Sequence, residues 1–373
     1  MFDRLKENEC NTSILFITAT FLEETRDILQ NMYGIIFKEQ ICARMQRRIL
    51  SLHLEVKTNS AEQTKHIKKL VKEQSRIEKR KVVVFEHSAE KACELANGMC
   101  DDTTLPNEAE AIYLTGREGS MFKTYVIHTF CEAENNCKVL VGTSAMKCGI
   151  NCWSCEAVLQ SGFPVNIQSY AQQNGRAGRG GVRHETDPYI CSNVVSIESF
   201  NHIFLQNQEY EQKAIKAEKT RQFEEVLELM IIPKQCIHQA IENRLEVLQG
   251  RNTDTEEDDI FGPCGYMCWY CRNEDMIPID SRDDLKSVLE ILLGDGNIES
   301  VDLPKLLLVE SRKLWKSYLA PRESELKKET ILRERDVRAS CSSLVLKLLA
   351  TKILTPTKVD LKSNERPSVV LRW

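Results

Sequence analysis

Two sets of residues in this sequence have the types and spacing to do chemistry. The first is the run Gly175-Arg176-Ala177-Gly178-Arg179-Gly180-Gly181. Arginine is rarely buried without a partner, and small neighbours let a guanidinium or the main chain come close to a ligand. A planar guanidinium fork suits phosphate oxygens; alone, the run also fits a glycine-rich basic surface turn. The second set is Cys264, Cys268 and Cys271, a C-x₃-C-x₂-C cluster after Gly262-Pro263. Short spacings let several thiolates of one loop reach one tetrahedral ion, so the pattern points to structural Zn²⁺. Three ligands need a fourth, and spacing leaves it open between Cys236 and His238. Cys148, Cys152 and Cys155 repeat the same spacing, but no fourth ligand is suggested nearby in sequence. They read as thiols.

Composition sets the bounds. A chain of 373 residues, 42% hydrophobic and 28% charged, suits two or three globular domains. The apolar stretch Ser13–Leu22 is too short and interrupted to span a bilayer, and no basic segment precedes it, so neither a membrane span nor a signal peptide is expected. Net charge is −5, so any contact with nucleic acid must come from local patches. Fifteen cysteines without a secretory signal read as reduced thiols, a subset of them binding metal.

The elements that would position these residues follow from hydrophobic periodicity. Ser13–Ile17 reads as a buried strand ending in Thr18-Ala19-Thr20, and a helix follows from Leu22 to Met32. Leu52, Leu54 and Val56 alternate as a strand. Residues 61–81 read as a lysine-rich helix, with Ile67, Leu70, Val71 and Ile77 on one face and the lysines, Lys81 included, on a solvated face. Val82–Phe85 is a strand running into a helix that starts near Ser88. Ile112–Arg117, with Thr115 and Gly116 at its end, follows, then a helix over residues 121–132 and a strand over Val139–Val141. Asn166–Asn174 is a helix that breaks at Gly175. Strand and helix thus alternate from Leu52 to Val195, which argues an α/β fold with a parallel sheet covered by helices on both faces.

The pairing of KVLVGTSAMKCGIN, from Lys138, with QQNGRAGRGG, ending at Gly181, resembles motifs V and VI of superfamily 2 helicases. The QxxGRAGR form is similar to the RecQ family in particular. The resemblance also covers ITATFLEETRDIL as motif III and the turn at Ser88 as motif IV, where Ala89 stands in place of the family's arginine. It implies a RecA-like domain, and an ATP-dependent 3′–5′ DNA helicase acting in recombination and repair. Arg179 is then the arginine finger on the γ-phosphate, and Arg176 holds the motif against its neighbours. Gln172, Gly149 and Asn151 fall at nucleotide-side positions; the family usually has an acid where Asn151 stands. Thr18, Thr20, Ser88, Thr115, Gly116, Thr143 and Ser144 fall at nucleic-acid-side positions. The family favours Cys236 as the fourth ligand, giving Cys236, Cys264, Cys268 and Cys271.

The sequence contains no GxxxxGK[ST] and no DExH or DEAD quartet. The lysine and acid that hold phosphate and Mg²⁺ are therefore missing, and the chain alone is expected neither to hydrolyse ATP nor to unwind DNA. ATP and Mg²⁺ would enter only with a first RecA-like domain, supplied upstream or by a separate chain. A non-catalytic module that holds DNA or a partner is the competing expectation. The implied organisation is a remnant of the first RecA-like domain at 1–45, the second at 46–200, a helical zinc-binding subdomain at 201–275 and a winged-helix-like domain at 276–373. The last rests on amphipathic segments at Leu285–Leu293, Leu303–Leu319 and Cys341–Ile353, followed by an alternating tail with a turn near Ser363-Asn364. Implied partners are single-stranded DNA and a fork or duplex junction. The implied location is the nucleus.

Overall fold

A computed structural model gives the fold. It describes residues 27, 29–32, 34, 49–77, 80–101, 105, 109–132, 135–147, 150–179, 188–245, 264, 267–272, 298–299, 302, 334–352, 354–359 and 368–372. Thr18, Thr20, Cys148, Gly149 and the segments 285–293 and 303–319 lie outside the described residues.

The centre is a six-stranded sheet in the order β1-β6-β5-β2-β4-β3. Its strands are β1 (Leu50–Val56), β2 (Lys81–Phe85), β3 (Glu110–Leu114), β4 (Cys137–Gly142), β5 (Cys155–Ser161) and β6 (Tyr189–Val195). Every neighbouring pair is parallel. Parallel strands need crossovers, and the chain supplies helices for them: α1 (Ser60–Ser75), α2 (Ala89–Asp101), α3 (Ser120–Cys131) and α4 (Ile167–Asn174). Strand alternation divides the apolar residues between two layers. Val82, Val84, Val139, Val141, Ala157 and Leu159 face α1 and α2 through Ile67, Val71, Ala92, Ala96 and Met99. Val83, Leu140 and Val158 face the other layer, with Val126 and Phe130 of α3 and Tyr170 of α4. Full burial of each such side chain contributes about 1.5–3 kcal/mol. This is the expected α/β architecture.

Helix α1 ends at Ser75, short of the expected Lys81. Lys81 does not belong to a solvated helical face: it opens β2, is 2% exposed, and donates from Nζ to the carbonyls of Phe130, at 2.5 Å, and Glu132. The main chain there is committed to the sheet, so the four-carbon stem is buried and the ammonium is met by carbonyls at the end of α3.

Beyond the sheet come α5 (Ile197–Gln208), α6 (Lys213–Ile231) and α7 (Ile237–Leu245). Ser196 caps α5 with a reciprocal capping box to Ser199. Phe223 of α6 meets Phe163 edge-on at 6.0 Å and Phe200 at 5.6 Å, which seats α6 on the sheet layer. A last helix, α8 (Glu334–Ala350), packs against α5, α6 and β1. It leads into an antiparallel sheet of order β7-β9-β8, formed by Ile298–Glu299, Ser368–Arg372 and Thr355–Val359 respectively. The expected terminal hairpin is β8–β9. The apolar core is continuous across the expected boundaries at 200 and 275, since Phe200, Val226, Cys268, Val345 and Leu349 join one cluster. Among the described residues no helix is long and apolar enough to cross a membrane.

Candidate functional site

The paired arginines lie where α4 ends and the main chain turns back under the sheet. One glycine makes that turn possible, and a second sits at the end of β4. Gly178 has φ +71°, and a Cβ there would fall 2.7 Å from the Tyr189 ring. Gly142 closes β4, and a Cβ there would fall 2.1 Å from the Leu114 carbonyl oxygen. The Gly178 amide donates to the Cys155 carbonyl at 3.0 Å, pinning the turn to the start of β5.

Both guanidinium groups converge on one carbonyl. Arg176, 8% exposed, donates from Nη1 to the Ile150 oxygen at 3.0 Å. Arg179 is half-buried; its Nη1 lies 3.4 Å from the same oxygen and 3.3 Å from Asn151 Oδ1, and its Nε donates to the Gly175 carbonyl at 3.1 Å. The loop from Lys138 to Asn151 and the arginine turn are thus tied together through Ile150. Asn151 accepts as a neutral amide where a carboxylate would form an ion pair. Gln172 lies on α4, partly exposed.

A buried amide ladder, which periodicity cannot reveal, fixes the same region to the sheet. Asn193 of β6 donates to Gln160 of β5 at 3.0 Å, and Gln160 donates to Asn174, the residue before Gly175, at 2.7 Å. Buried polar groups persist when bonded to each other. Gln63 of α1 similarly donates to Ser161 and accepts from Ser196.

At the carboxyl ends of β2 and β5 lies a cavity of about 110 Å³, lined by Glu86, His87, Ser144, Ser161, Gln173 and Gln206 among others. Burial pushes the Glu86 carboxyl above the usual carboxylate range. Ser144 opens a 3₁₀ turn (Ser144–Lys147), and Thr143 donates from its amide to the Leu114 carbonyl at 3.2 Å. Ser88 caps α2, with Lys91 N 3.4 Å from its Oγ. These residues share the carboxyl edge of the sheet, where ligands of open α/β folds bind.

Thr115 is engaged locally. It is 1% exposed, its amide donates to Glu118 Oε2 at 2.6 Å, and its hydroxyl donates to the same carboxylate at 2.8 Å. Both Thr115 donors are thus engaged by this carboxylate. Gly116 beside it is exposed. The local signal was present in the sequence, as a threonine three residues before a glutamate.

The second candidate centre brings together Cys236, Cys264, Cys268 and Cys271, whose sulfur atoms all lie within 4.8 Å of one another. Cys264 Sγ donates to Cys268 Sγ at 3.6 Å, and Cys236 Sγ lies 3.9 Å from it. These contacts draw the Cys268 thiol far down toward thiolate. His238 is not part of the set: its Nε2 donates to the Leu50 carbonyl at 3.1 Å, and burial holds the ring neutral. Four converging thiols, three of them fully buried, fit a soft tetrahedral ion such as Zn²⁺.

The cysteine loop is docked on β1. Leu52 N donates to the Met267 carbonyl at 2.7 Å, and Leu52 forms a parallel bridge with Cys268. Arg272 reaches the Leu52 carbonyl at 2.6 Å and Ser51 Oγ at 3.2 Å. Nothing in residue spacing announces this clip.

Against known proteins, residues 38–181 match the family described as Helicase conserved C-terminal domain. That match covers 144 of the 373 residues and spans five of the six strands of the parallel sheet, β1 to β5. A protein of Acanthamoeba polyphaga mimivirus, named "Putative ATP-dependent RNA helicase", is 28% identical over 178 residues. That match covers 48% of this chain and 30% of the relative, so the chain spans under a third of that relative's length. Among solved structures, S. cerevisiae Dbp5 bound to RNA and ADP BeF3 is 17% identical, covering 60% of this chain and 52% of its own, with a TM-score of 0.43. A DEAD box protein from Methanococcus jannaschii is 21% identical, covering 47% of this chain and 44% of its own, with a TM-score of 0.34.

Proposed function

We propose that this chain is the second motor half of a RecQ-like DNA helicase, joined to a zinc-binding subdomain and a winged-helix-like end. The observation that carries the reading is a juxtaposition. A loop ending at Asn151 is tied to Arg176 and Arg179, on a sheet whose β1 receives a four-cysteine loop. In this reading Arg179, the more exposed of the pair, reaches the γ-phosphate across a cleft completed by a first RecA-like domain, and Arg176 is the buried positioning residue. Gln172, Gly149 and Asn151 flank the nucleotide, while Ser88, Gly116, Thr143 and Ser144 face the nucleic-acid backbone, with Thr18 and Thr20 contributing from the first domain. Zn²⁺ holds the cysteine subdomain together when bound. The proposed location is the nucleus.

The sequence holds no phosphate loop, so ATP turnover by the 373 residues alone is not expected. A first test measures DNA-stimulated ATP hydrolysis by the chain alone, by the chain with an added first RecA-like domain, and by Arg179→Ala with that domain. Turnover only in the second sample supports the reading. Turnover by the chain alone that survives Arg179→Ala sinks it. A second reading, RNA rather than DNA, is favoured by the RNA-helicase name of the mimiviral relative. Binding to forked DNA and to RNA of the same sequence, at one salt concentration, separates the two. Tenfold or greater preference for DNA supports the first and equal or tighter RNA binding the second, by analogy with measured specificity ratios.

A further inference from the structure

Outside the arginine turn and the four-cysteine cluster, one mostly buried acid has no counter-charge. Glu86 directly follows β2, and its amide donates to the Gly142 carbonyl at 2.8 Å, which fixes it beside the end of β4. Its carboxyl accepts from the His87 amide at 2.9 Å, and the Ser161 hydroxyl and Ser88 amide also bond to it. All three donors are neutral. Among the described residues no lysine, arginine or histidine forms an ion pair with it; Lys91, exposed on α2, acts on it only from beyond ion-pair distance. Carboxylates taken out of water are ordinarily paired or bound to a metal ion.

The cavity of about 110 Å³ that Glu86 lines holds a second unmet acceptor. Gln173 of α4 also lines it and is 8% exposed, and its Oε1 is buried with no hydrogen-bond partner among the described residues. Gln160 and Ser161 of β5 form buried wall, while Ser144 and Gln206 are exposed to solvent. His87 is the only other polar side chain of the lining, which contains no lysine, arginine or cysteine. Oxygen donors without thiolates suit a hard cation. A neutral hydrogen-bond donor would satisfy Gln173 and leave the charge of Glu86 unmet. A divalent ion would overbalance one carboxylate, and Mg²⁺ demands near-ideal octahedral geometry. A monovalent ion balances the acid one for one, and the cavity leaves room for it with several waters.

We propose that this cavity binds a monovalent cation of the K⁺ type, held by the Glu86 carboxylate, the Gln173 amide oxygen and the Ser161 and Ser144 hydroxyls. Burial pushes the Glu86 carboxyl up, and the bound ion draws it back toward the ionised form. The ion ties the end of β2 to the last turn of α4. The Gln173 carbonyl accepts the Arg176 amide at 3.0 Å, so the site steadies the helix end from which the arginine turn departs. It requires neither ATP nor the helicase reading.

The test uses the full chain, purified with zinc, in KCl and in tetramethylammonium chloride at one ionic strength. Thermal unfolding is followed in both salts, and crystals grown in K⁺ are exchanged into Tl⁺, whose anomalous scattering marks the ion. The expected result is a saturable rise of the unfolding midpoint by about 2–4 °C in KCl, with a Tl⁺ peak beside Glu86. Glu86→Gln keeps the shape and loses the charge, so its midpoint should be equal in the two salts. Gln173→Leu should raise the K⁺ concentration needed for the shift about tenfold. Where Glu86→Gln does not fold, Gln173→Leu and the Tl⁺ map decide. Equal wild-type midpoints in the two salts overturn the proposal, as does a K⁺ response undiminished in either variant, a Tl⁺ peak only elsewhere, or stabilisation by Mg²⁺ and not by K⁺.

Discussion

The sequence holds one cysteine spacing twice, and the two copies fold to different ends. Cys264, Cys268 and Cys271 sit on a loop clipped to β1 and converge with Cys236 from the start of α7. Of the other copy, Cys152 lies in the loop before β5 and Cys155 is the first residue of that strand, fully buried. Cys155 meets the sheet core, and burial pushes its thiol well up. Cys152 turns toward the Phe130 carbonyl at the end of α3 and toward Ser154 instead. Spacing lets thiols gather only where the main chain is free to curl around an ion; a strand sends successive side chains to opposite faces. The decisive ligand also comes from far away in sequence, which the first copy has and the second, among the described residues, does not.

This contrast can be broken by substitution. Cys268→Ser is expected to have the largest effect: loss of bound zinc and about 4 kcal/mol or more of stability. Plasma emission and thermal unfolding would measure both, and zinc retained at full stoichiometry would break the comparison outright. Arg272→Ala removes the clip to Leu52 and Ser51, and about 2–3 kcal/mol should go with it while zinc stays. Faster amide exchange at Leu52 is the matching signal. Cys155→Ser places a hydroxyl in the apolar layer; we expect a loss of about 1–2 kcal/mol in urea titration with zinc content unchanged. Zinc loss there would mean the two copies are coupled. Asn151→Asp, one residue before Cys152, should shift stability by less than about 0.5 kcal/mol through its half-exposed partner Arg179.

The fold was legible where burial imposes a simple period. Val139–Val141 and Val82–Phe85 are uninterrupted, valine-rich apolar runs, and they became inner strands. The break at Gly175 was equally plain. What stayed hidden involves polar residues whose partners lie on distant segments. Gln160, Asn174 and Asn193 look like surface residues until three elements bring them together. Lys81 looked like one more charge in a basic run, because composition cannot say that the helix stops at Ser75. The Thr115–Glu118 pair is local instead, and its threonine-to-glutamate spacing was legible in the sequence.

The clip on β1 also bears on the open edge of the sheet. β1, LSLHLEV, stands at the margin of the sheet, and its outward main-chain groups are answered by Met267, Arg272 and His238. Let the loop lift, and a seven-residue edge strand that alternates Leu50, Leu52, Leu54 and Val56 with polar residues is bared, a ready template for another chain to add a strand. The cysteine loop is thus a guard against self-association, and chelated protein should become turbid before it unfolds.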